Sequence, residues 1–215
     1  NSFLTMKRVL LLIFLLIFAY KTNAQSFPGD VTISPQAGVS LSTYFTSKSG
    51  FDPRIASTGG IIIEYYFTRV WSLRSGFIYD QMGVRDNLGY TQKLDYVTVP
   101  INANWHFGNR NNFYLNFGPA VSLLLDGKAE NDQGEIIVLT DDTGAKFQEY
   151  DLGVTLGIGY KFYIDRKTQL FLDYQGFGSI WNIVENLPYD VRNSRNAFNI
   201  GVVFTMDPMK GFRHR

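Results

Sequence analysis

The sequence of 215 residues contains no cysteine and only two histidines, His106 and His214. The absence of cysteine excludes disulfide bonds, thiolate nucleophiles, cysteine-based zinc sites and a lipid anchor on an N-terminal cysteine. The two histidines lie far apart in the sequence, so a histidine-rich metal site is not expected. The sequence therefore predicts neither a metal centre nor another cofactor.

The sequence also lacks an excess of positive charge. Its 20 basic and 19 acidic residues give a formal net charge of +1. Three of the 20 basic residues, Lys7, Arg8 and Lys21, lie in an N-terminal segment without acidic residues, so removal of that segment leaves 17 basic and 19 acidic residues. A nucleic-acid-binding surface usually needs a basic stripe. Nucleic acid is therefore not an expected partner.

Only one long apolar run is present, at residues 9–20. It follows the basic pair Lys7-Arg8 and precedes Thr22-Asn23-Ala24, and these three parts are typical of a secretory signal peptide. The run is shorter than the roughly 20 residues that a spanning helix needs, which disfavours the alternative of an uncleaved anchor. We expect residues 1–24 to be a signal peptide cleaved after Ala24, with residues 1–5 an artefact upstream of the true start at Met6.

The remaining sequence is rich in aromatic residues and glycine, with an aromatic content of 16% and 20 Gly. Aromatic and β-branched side chains fit a pleated surface. Eight stretches alternate apolar with small or polar residues, which is the pattern of strands with two different faces. These predicted strands are residues 36–45, 58–67, 71–82, 94–107, 113–125, 147–162, 168–179 and 196–206.

The connections between the predicted strands alternate in length. The long ones are residues 46–57, 83–93, 126–146 and 180–195, and the short ones are 68–70, 108–112 and 163–167. Outer-membrane barrels combine short periplasmic turns with longer extracellular loops. The sequence therefore predicts an all-β, eight-stranded antiparallel up-and-down transmembrane β-barrel at residues 25–206, with a short periplasmic tail at 207–215.

A soluble barrel or sandwich is the alternative, and it would bury the apolar face. Charges well inside the predicted strands favour the membrane barrel, because a polar lumen hydrates and pairs them better than an apolar core. The residues expected to face lipid are Val39, Ile63, Leu73, Ile101, Leu115, Leu156, Leu172 and Val202. An aromatic girdle at the short turns is expected from Phe67, Trp71, Trp105, Phe107, Phe113, Phe162 and Phe204.

The charges on the other face predict one specific lumen pair, Glu64 with Arg74. If the turn at 68–70 puts Phe67 opposite Trp71, the antiparallel register puts Glu64 opposite Arg74. The alternative partners for Arg74 are Asp80 and Asp151. The other charges with lumen-facing parity are Asp80, Asp151, Lys161 and Asp173.

Glycine and proline add two structural predictions. Gly153, Gly157 and Gly159 share the lumen face, where a narrow barrel leaves little room for side chains. Pro100 lies inside a predicted strand and cannot donate a ladder hydrogen bond, which predicts a β-bulge there.

Four predicted strands carry motifs of alternation with placed Gly, Pro and Asp. They are Tyr96-Val97-Thr98-Val99-Pro100-Ile101, Asn112-Phe113-Tyr114-Leu115-Asn116-Phe117-Gly118-Pro119, Tyr150-Asp151-Leu152-Gly153 with Gly157-Ile158-Gly159-Tyr160, and Leu172-Asp173-Tyr174 with Gly176. Together they resemble the PorT-like outer-membrane β-barrel family over nearly the whole mature chain. The resemblance implies an eight-stranded barrel in the outer membrane. The namesake takes part in type IX secretion, but the motifs indicate a barrel rather than that role.

Catalytic and metal-binding signals are weak. His106 has no Ser-x-His or Gly-x-Ser-x-Gly signature beside it, so an enzyme is not expected. An acidic loop without calcium-loop spacing is expected to be solvated rather than to bind a divalent cation. Its carboxylates are Glu130, Asp132, Glu135, Asp141 and Asp142.

The leading functional hypothesis is a structural or partner-binding barrel. Expected partners are outer-membrane lipid, lipopolysaccharide and another outer-membrane or secretion protein. The alternatives are a lipid-A-modifying enzyme, a narrow channel and an accessory component of type IX secretion. Loop 180–195 is the expected contact loop because of Trp181, Ile183 and Tyr189, and capping of the barrel by this loop is the alternative.

Overall fold

Eleven strands form the described part of the molecule. The computed structural model describes residues 27–87, 89–138, 146–165 and 167–206, so the predicted signal peptide and tail lie outside the described residues. The long strands are β1 (Val31–Thr46), β2 (Phe51–Tyr66), β3 (Trp71–Asp86), β4 (Thr91–Phe107), β5 (Phe113–Glu130), β8 (Tyr150–Tyr163), β9 (Thr168–Ser179) and β11 (Val191–Met206). The short ones are β6 (Ile136–Val138), β7 (Lys146–Phe147) and β10 (Val184–Glu185).

The eight long strands close into an antiparallel barrel. Each pairs with the next long strand along the chain, and β1 pairs with β11 to complete the ring. Strand β6 extends the β5 edge, and β7 pairs with β10 in a separate two-stranded sheet. The predicted fold class, an all-β eight-stranded up-and-down barrel, is confirmed.

No helix in the described ranges is long and apolar enough to cross a membrane.

The strand limits differ from the prediction at the start of β1, which begins at Val31 instead of Gln36, and at the end opposite the short turns, which we call the long-loop end. Strands β2, β3, β4 and β5 all extend further than predicted, so the predicted long connections 46–57 and 83–93 are reduced to residues 47–50 and 87–90. Register shifts between Pro53 and Thr58 and between Asp95 and Tyr96 interrupt the two-residue alternation, which concealed these extensions. The sixth predicted strand also began too early, because Phe147 belongs to β7 and the barrel strand begins at Tyr150.

The outer face of the barrel is apolar and the inner face is largely polar. Val39, Ile101 and Leu156 are 58%, 53% and 60% exposed, and Ser72 and Asn116 on the inner face are fully buried. All eight residues that were expected to face lipid point outward and are exposed or half-buried. This inside-out distribution is that of a membrane barrel, not of a soluble one.

The apolar band has the height of a membrane. On β4 it runs from Phe107 to Val97, with Asp95 as the next outward residue. At about 3.4 Å per residue and a tilt of about 40°, this span rises roughly 25 Å, the usual height of the apolar band of an outer-membrane barrel.

The predicted bulge at Pro100 is wrong. Ser75 pairs with Ile101 and Ile78 pairs with Thr98, so the register of β3 and β4 is unchanged on either side of Pro100. The β3–β4 ladder is interrupted only at the two positions opposite Gly76 and Phe77. The missing N–H of Pro100 therefore interrupts the pairing of β3 with β4 locally, without adding an extra residue to β4.

Candidate functional site

The lumen near the short turns contains four charged side chains and a histidine, which together we call the ionic cluster: Glu64, Arg74, His106, Lys161 and Asp173. All are at most 6% exposed. Asp173 is bound by the Arg74 guanidinium, whose Nη2 lies 2.9 Å from Oδ2. The hydroxyl of Tyr114 also donates to Oδ2, at 2.9 Å, and the Asn199 amide donates to Oδ1 at 2.8 Å. The carboxylate is therefore surrounded by donors, as a buried charge requires.

Glu64 is the second centre of the ionic cluster. Lys161 Nζ lies 2.8 Å from Oε2, and His106 Nε2 lies 2.7 Å from Oε1. Ser72 and Asn104 donate to Oε1 at 2.5 and 2.6 Å. Strands β2, β3, β4 and β8 thus meet at one carboxylate, which connects opposite walls of the barrel.

The structure places Glu64 directly opposite Arg74 in the β2–β3 register, as the turn at 68–70 predicts. The two charges nevertheless take their close partners elsewhere, Lys161 for Glu64 and Asp173 for Arg74. An eight-stranded barrel is narrow enough for long side chains to reach across the lumen. The partner is therefore set by reach across the lumen rather than by adjacency in the sheet.

Two further predicted lumen charges, Asp80 and Asp151, lie closer to the long-loop end of the barrel. Asp80 pairs with Arg195 at 3.2 Å and accepts a hydrogen bond from Thr58 at 2.7 Å. Asp151 accepts hydrogen bonds from Ser179 at 2.6 Å and Asn193 at 2.9 Å. Arg195 was missed because the eighth strand was predicted to begin one residue after it.

Ser72, His106 and Glu64 bring together the residue types of a hydrolase triad, which the sequence motifs did not reveal. However, Ser72 Oγ and Glu64 Oε1 both contact the same ring nitrogen, His106 Nε2, at 2.9 and 2.7 Å. A catalytic triad uses the two ring nitrogens for two different partners. All three residues are at most 3% exposed. Neither the geometry nor the access of a hydrolytic site is present in this cluster.

The lumen near the long-loop end is filled by an apolar plug. The buried members of the apolar plug are Tyr44, Met82, Val84, Leu94, Tyr96, Ala120, Leu124, Phe147, Phe177, Ile183, Val184 and Val191. Phe147, Ile183 and Val184 come from the loops, where β7 pairs with β10. The loop amides of Gln148 and Ile183 donate to Ile183 and Val191 carbonyls, both at 2.8 Å, which holds these segments in the barrel mouth.

Between the ionic cluster and the apolar plug, the lumen contains a cavity of only about 20 Å³, bordered by Arg74 and Arg195. That volume holds about one water molecule. Over the residues that the structure describes, side chains therefore fill the lumen at both ends.

One part of the predicted contact loop, residues 180–195, caps the barrel, and another part is exposed for contact with a partner. Ile183 is fully buried in the apolar plug, so this part of the loop caps the barrel. Tyr189 is half-buried against the plug, with Lys48 Nζ 5.3 Å from its ring centroid. Trp181 is 54% exposed and remains available for contact.

Trp181 borders a half-open pocket of about 510 Å³, which we call the mouth pocket. It is lined by Leu124, Lys146, Phe147, Gln148, Glu149, Tyr150, Trp181 and Glu185. Tyr150 is 56% exposed, whereas Phe147 and Leu124 are buried members of the apolar plug. Lys146 and Glu185 approach within 3.8 Å, and both side chains remain largely exposed.

The described part of the acidic loop forms ordinary surface pairs. Asp132 pairs with Arg85 at 2.9 Å, Glu130 pairs with Lys93, and Glu135 accepts from Asn131 at 2.7 Å. Asp141 and Asp142 lie outside the described residues. Among the residues that the structure does describe, no three His, Asp or Glu side chains form a group that could hold a metal ion.

Aromatic side chains form a belt on the outer surface at the short-turn end. Ring contacts with centroids 4.6–6.4 Å apart join Trp71, Trp105, Phe107, Phe113, Tyr160 and Phe162 in sequence. Phe67 contacts Tyr65, and Phe204 is 45% exposed on the same outer face. The predicted girdle residues thus lie at one end and on one face, and Tyr65 and Tyr160 join them. Such a belt is suited to the headgroup level of a bilayer.

A closed barrel with an apolar outer band, an aromatic belt and a polar lumen defines an outer-membrane β-barrel protein. The sequence matches the outer membrane protein beta-barrel domain family over residues 23–184, and the chain belongs to this family. The protein is therefore located in the outer membrane. Outer-membrane barrels have short turns in the periplasm and longer loops outside the cell, and the two ends of this barrel are named accordingly.

Solved structures show the same fold. The outer membrane protein OprG from Pseudomonas aeruginosa is 11% identical, with a TM-score of 0.53 over 86% of this chain and 99% of its own. Neisserial surface protein A (NspA) is 12% identical, with a TM-score of 0.50 over 81% and 97%. AlkL, an outer membrane protein, is 11% identical, with a TM-score of 0.50 over 91% and 98%. No curated protein sequence matches the chain closely enough to show a relationship.

Proposed function

We propose that this protein is a non-conducting outer-membrane barrel with a structural or partner-binding role, whose contacts with other molecules are made at the extracellular mouth. The observation that carries this proposal is the double closure of the lumen. The ionic cluster closes the periplasmic half, and the apolar plug closes the extracellular half. A barrel filled in this way offers no aqueous path, and its accessible chemistry lies on its loops and outer surface.

Conductance across planar lipid bilayers tests this proposal against the alternative of a narrow channel. We expect the purified full-length protein to give no stepwise current at moderate voltage. Because both closures are made of buried, well-packed side chains, transient opening should be rare. Reproducible single-channel steps from the wild-type protein would overturn the proposal.

The alternative of a lipid-A-modifying enzyme has one feature in its favour, the buried contact of Ser72 with His106. Mass spectrometry of lipid A from cells with and without the gene tests it directly. We expect identical lipid A, because Ser72 and His106 face the filled lumen rather than lipid. A gene-dependent change in acylation or in the headgroup would instead support the enzyme.

The proposed partners are outer-membrane lipid and lipopolysaccharide around the apolar band, and another outer-membrane or secretion protein at the mouth. An accessory role in type IX secretion, in which the namesake of the PorT-like family takes part, is one form of this proposal. Pull-down of a tagged copy from crosslinked outer membranes would distinguish it, because recovery of secretion components would support that role. Recovery of lipopolysaccharide alone would favour a structural one.

A further inference from the structure

We propose that the mouth pocket binds a neutral saccharide, with Trp181 and Tyr150 as the stacking surfaces. This inference rests on the proposed function, since it assigns a ligand class to the extracellular mouth. The pocket volume of about 510 Å³ lies within the range of about 300–1,000 Å³ that small-molecule sites use.

Two exposed aromatic residues offer stacking surfaces in the mouth pocket. Trp181 lies in the loop and is 54% exposed, whereas Tyr150 is the first residue of β8, on its outward face at the rim of the barrel, and is 56% exposed; both border the same pocket. A sugar ring has apolar C–H faces that pack on aromatic rings and a hydroxyl edge that needs hydrogen bonds. Exposed Trp and Tyr provide a large contact area at little cost in conformational entropy.

The polar residues of the pocket indicate a neutral ligand. Glu149 and Glu185 would repel an anion, and Lys146 would repel a cation. Hydroxyl groups can use both kinds of partner, because they donate to carboxylates and accept from an ammonium. Gln148 adds an amide that can both donate and accept. A polyhydroxylated neutral ring therefore offers hydrogen-bond partners to the carboxylates, the ammonium group and the amide of the pocket.

The pocket is also preorganised where it meets the barrel. Phe147 pairs with Val184 and Lys146 with Glu185 in the β7–β10 sheet, and Phe147 is anchored in the apolar plug. The Lys146–Glu185 contact of 3.8 Å is exposed, so its contribution to stability is small and both groups can turn to a ligand. A fixed floor with adjustable polar groups reduces the entropy lost on binding.

The test uses the full-length protein in detergent micelles and an array of free oligosaccharides of glucose, galactose, mannose and N-acetylglucosamine, with sulfated and phosphorylated counterparts. We expect binding of at least one neutral oligosaccharide and weaker binding of its charged counterparts. No binding of any neutral oligosaccharide, or tighter binding of a charged counterpart, would overturn the inference.

Variants identify the site. Trp181→Ala should weaken affinity at least about tenfold, and Trp181→Phe should retain part of the affinity because it keeps a ring. Phe45→Ala removes a ring that is 74% exposed near the same end but outside the pocket, so it should bind like the wild type. Unchanged affinity in Trp181→Ala, or an equal loss in Phe45→Ala, would contradict the assignment.

Fluorescence adds a second readout. The sequence has three tryptophans, and Trp71 and Trp105 lie in the periplasmic belt. In the double variant Trp71→Phe, Trp105→Phe, the fluorescence of Trp181 should therefore still change when the oligosaccharide binds. An unchanged fluorescence would contradict contact between the sugar and Trp181.

The source of the sugar is decided by comparing free oligosaccharides with vesicles of lipopolysaccharide that carry or lack the neutral outer sugars. Preference for vesicles with these sugars would identify a surface glycan as the ligand, and equal affinity for the free sugar would identify a soluble one. If no sugar binds and the wild-type protein carries no current across the planar bilayer, the saccharide inference is refuted and the proposed function stands. Current steps would refute the proposed function, whatever the sugar assays show.

Discussion

The two halves of the lumen are closed by different means. In the periplasmic half, buried charges carried by the barrel strands bind one another, as in the Arg74–Asp173 contact of 2.9 Å. In the extracellular half, apolar side chains from the strand extensions pack against Phe147, Ile183 and Val184 from the loops. One end of this lumen is thus closed by side chains of the barrel strands alone, whereas the other end also uses side chains from the loops.

The two closures should respond differently to mutation. Removing one member of a buried ion pair leaves an uncompensated charge, at a cost of about 3–5 kcal/mol. Removing an apolar side chain loses its transfer free energy and leaves a cavity, at about 2–5 kcal/mol for Ile→Ala. The periplasmic half is therefore expected to be the more sensitive to single changes of charge.

The largest effect is expected from Arg74→Ala, which should lower the free energy of unfolding by about 3–5 kcal/mol. The guanidinium binds Asp173 and lies 5.2 Å from the Tyr114 ring centroid and 5.7 Å from that of Phe171, so the variant loses charge and packing together. Glu64→Gln also leaves Lys161 without its carboxylate. It keeps the side-chain volume, however, and one oxygen for the hydrogen bonds from Ser72 and Asn104, so it should cost less. Urea unfolding in lipid vesicles measures both.

A double variant isolates the charge in this prediction. Arg74→Met with Asp173→Asn removes both charges and keeps most of the volume, so it should be more stable than Arg74→Ala. If the double variant is no more stable, or if Glu64→Gln is the more damaging single change, the periplasmic half is not held by the charge balance described above.

The second effect is expected in the extracellular half. Ile183→Ala should destabilise the barrel by about 2–4 kcal/mol, because Ile183 is fully buried in the apolar plug. Ile180→Ala is the matched control, since Ile180 lies in the same loop and is 48% exposed. Urea unfolding in lipid vesicles compares the stability of these two variants. Conductance across a planar bilayer shows whether the lumen opens in either of them.

We expect Ile183→Ala to remain non-conducting, because the ionic cluster still closes the periplasmic half. Current through this variant would show that the plug alone seals the barrel. Equal destabilisation by Ile180→Ala would show that the loop, rather than the buried side chain, carries the effect.

The same comparison explains what the sequence could predict. Two-residue alternation assigned the faces of Glu64, Arg74 and Asp173, because each strand crosses the membrane in a regular pleat. The actual partners could not be read from it, since Lys161 and Asp173 reach across a lumen whose width depends on closure of the whole barrel.

The apolar plug was missed for a different reason. Met82 and Leu94 have lumen-facing parity, and this was a usable signal, but both lie at the ends of predicted strands whose extensions the register shifts concealed. Ile183 and Val184 come from a loop without alternation, so no periodic pattern could assign them to the lumen. The mouth pocket depends on the same loop pairing and was equally inaccessible, although Trp181 was recognised as a contact residue.

The smallest effect tests how tightly the periplasmic half is packed. A Cβ at Gly159 would overlap the ring of Tyr114 and lie 2.7 Å from the Asp173 Cβ. The Tyr114 ring cannot move freely, because its hydroxyl binds Asp173 at 2.9 Å and its face contacts Arg74. Gly159→Ala should therefore destabilise the barrel by about 1–3 kcal/mol, as overpacking does.

Gly178 provides the matched control at the other end of the neighbouring strand, because a Cβ there meets no atom within 4 Å. Gly178→Ala should be neutral or stabilising by up to about 1 kcal/mol, since alanine reduces the conformational freedom of the unfolded chain. Urea titrations of the two variants should thus differ in sign or by at least about 1 kcal/mol. Equal stabilities would mean that Tyr114 has room to shift, and the periplasmic half would then be a looser network than the distances around Asp173 indicate.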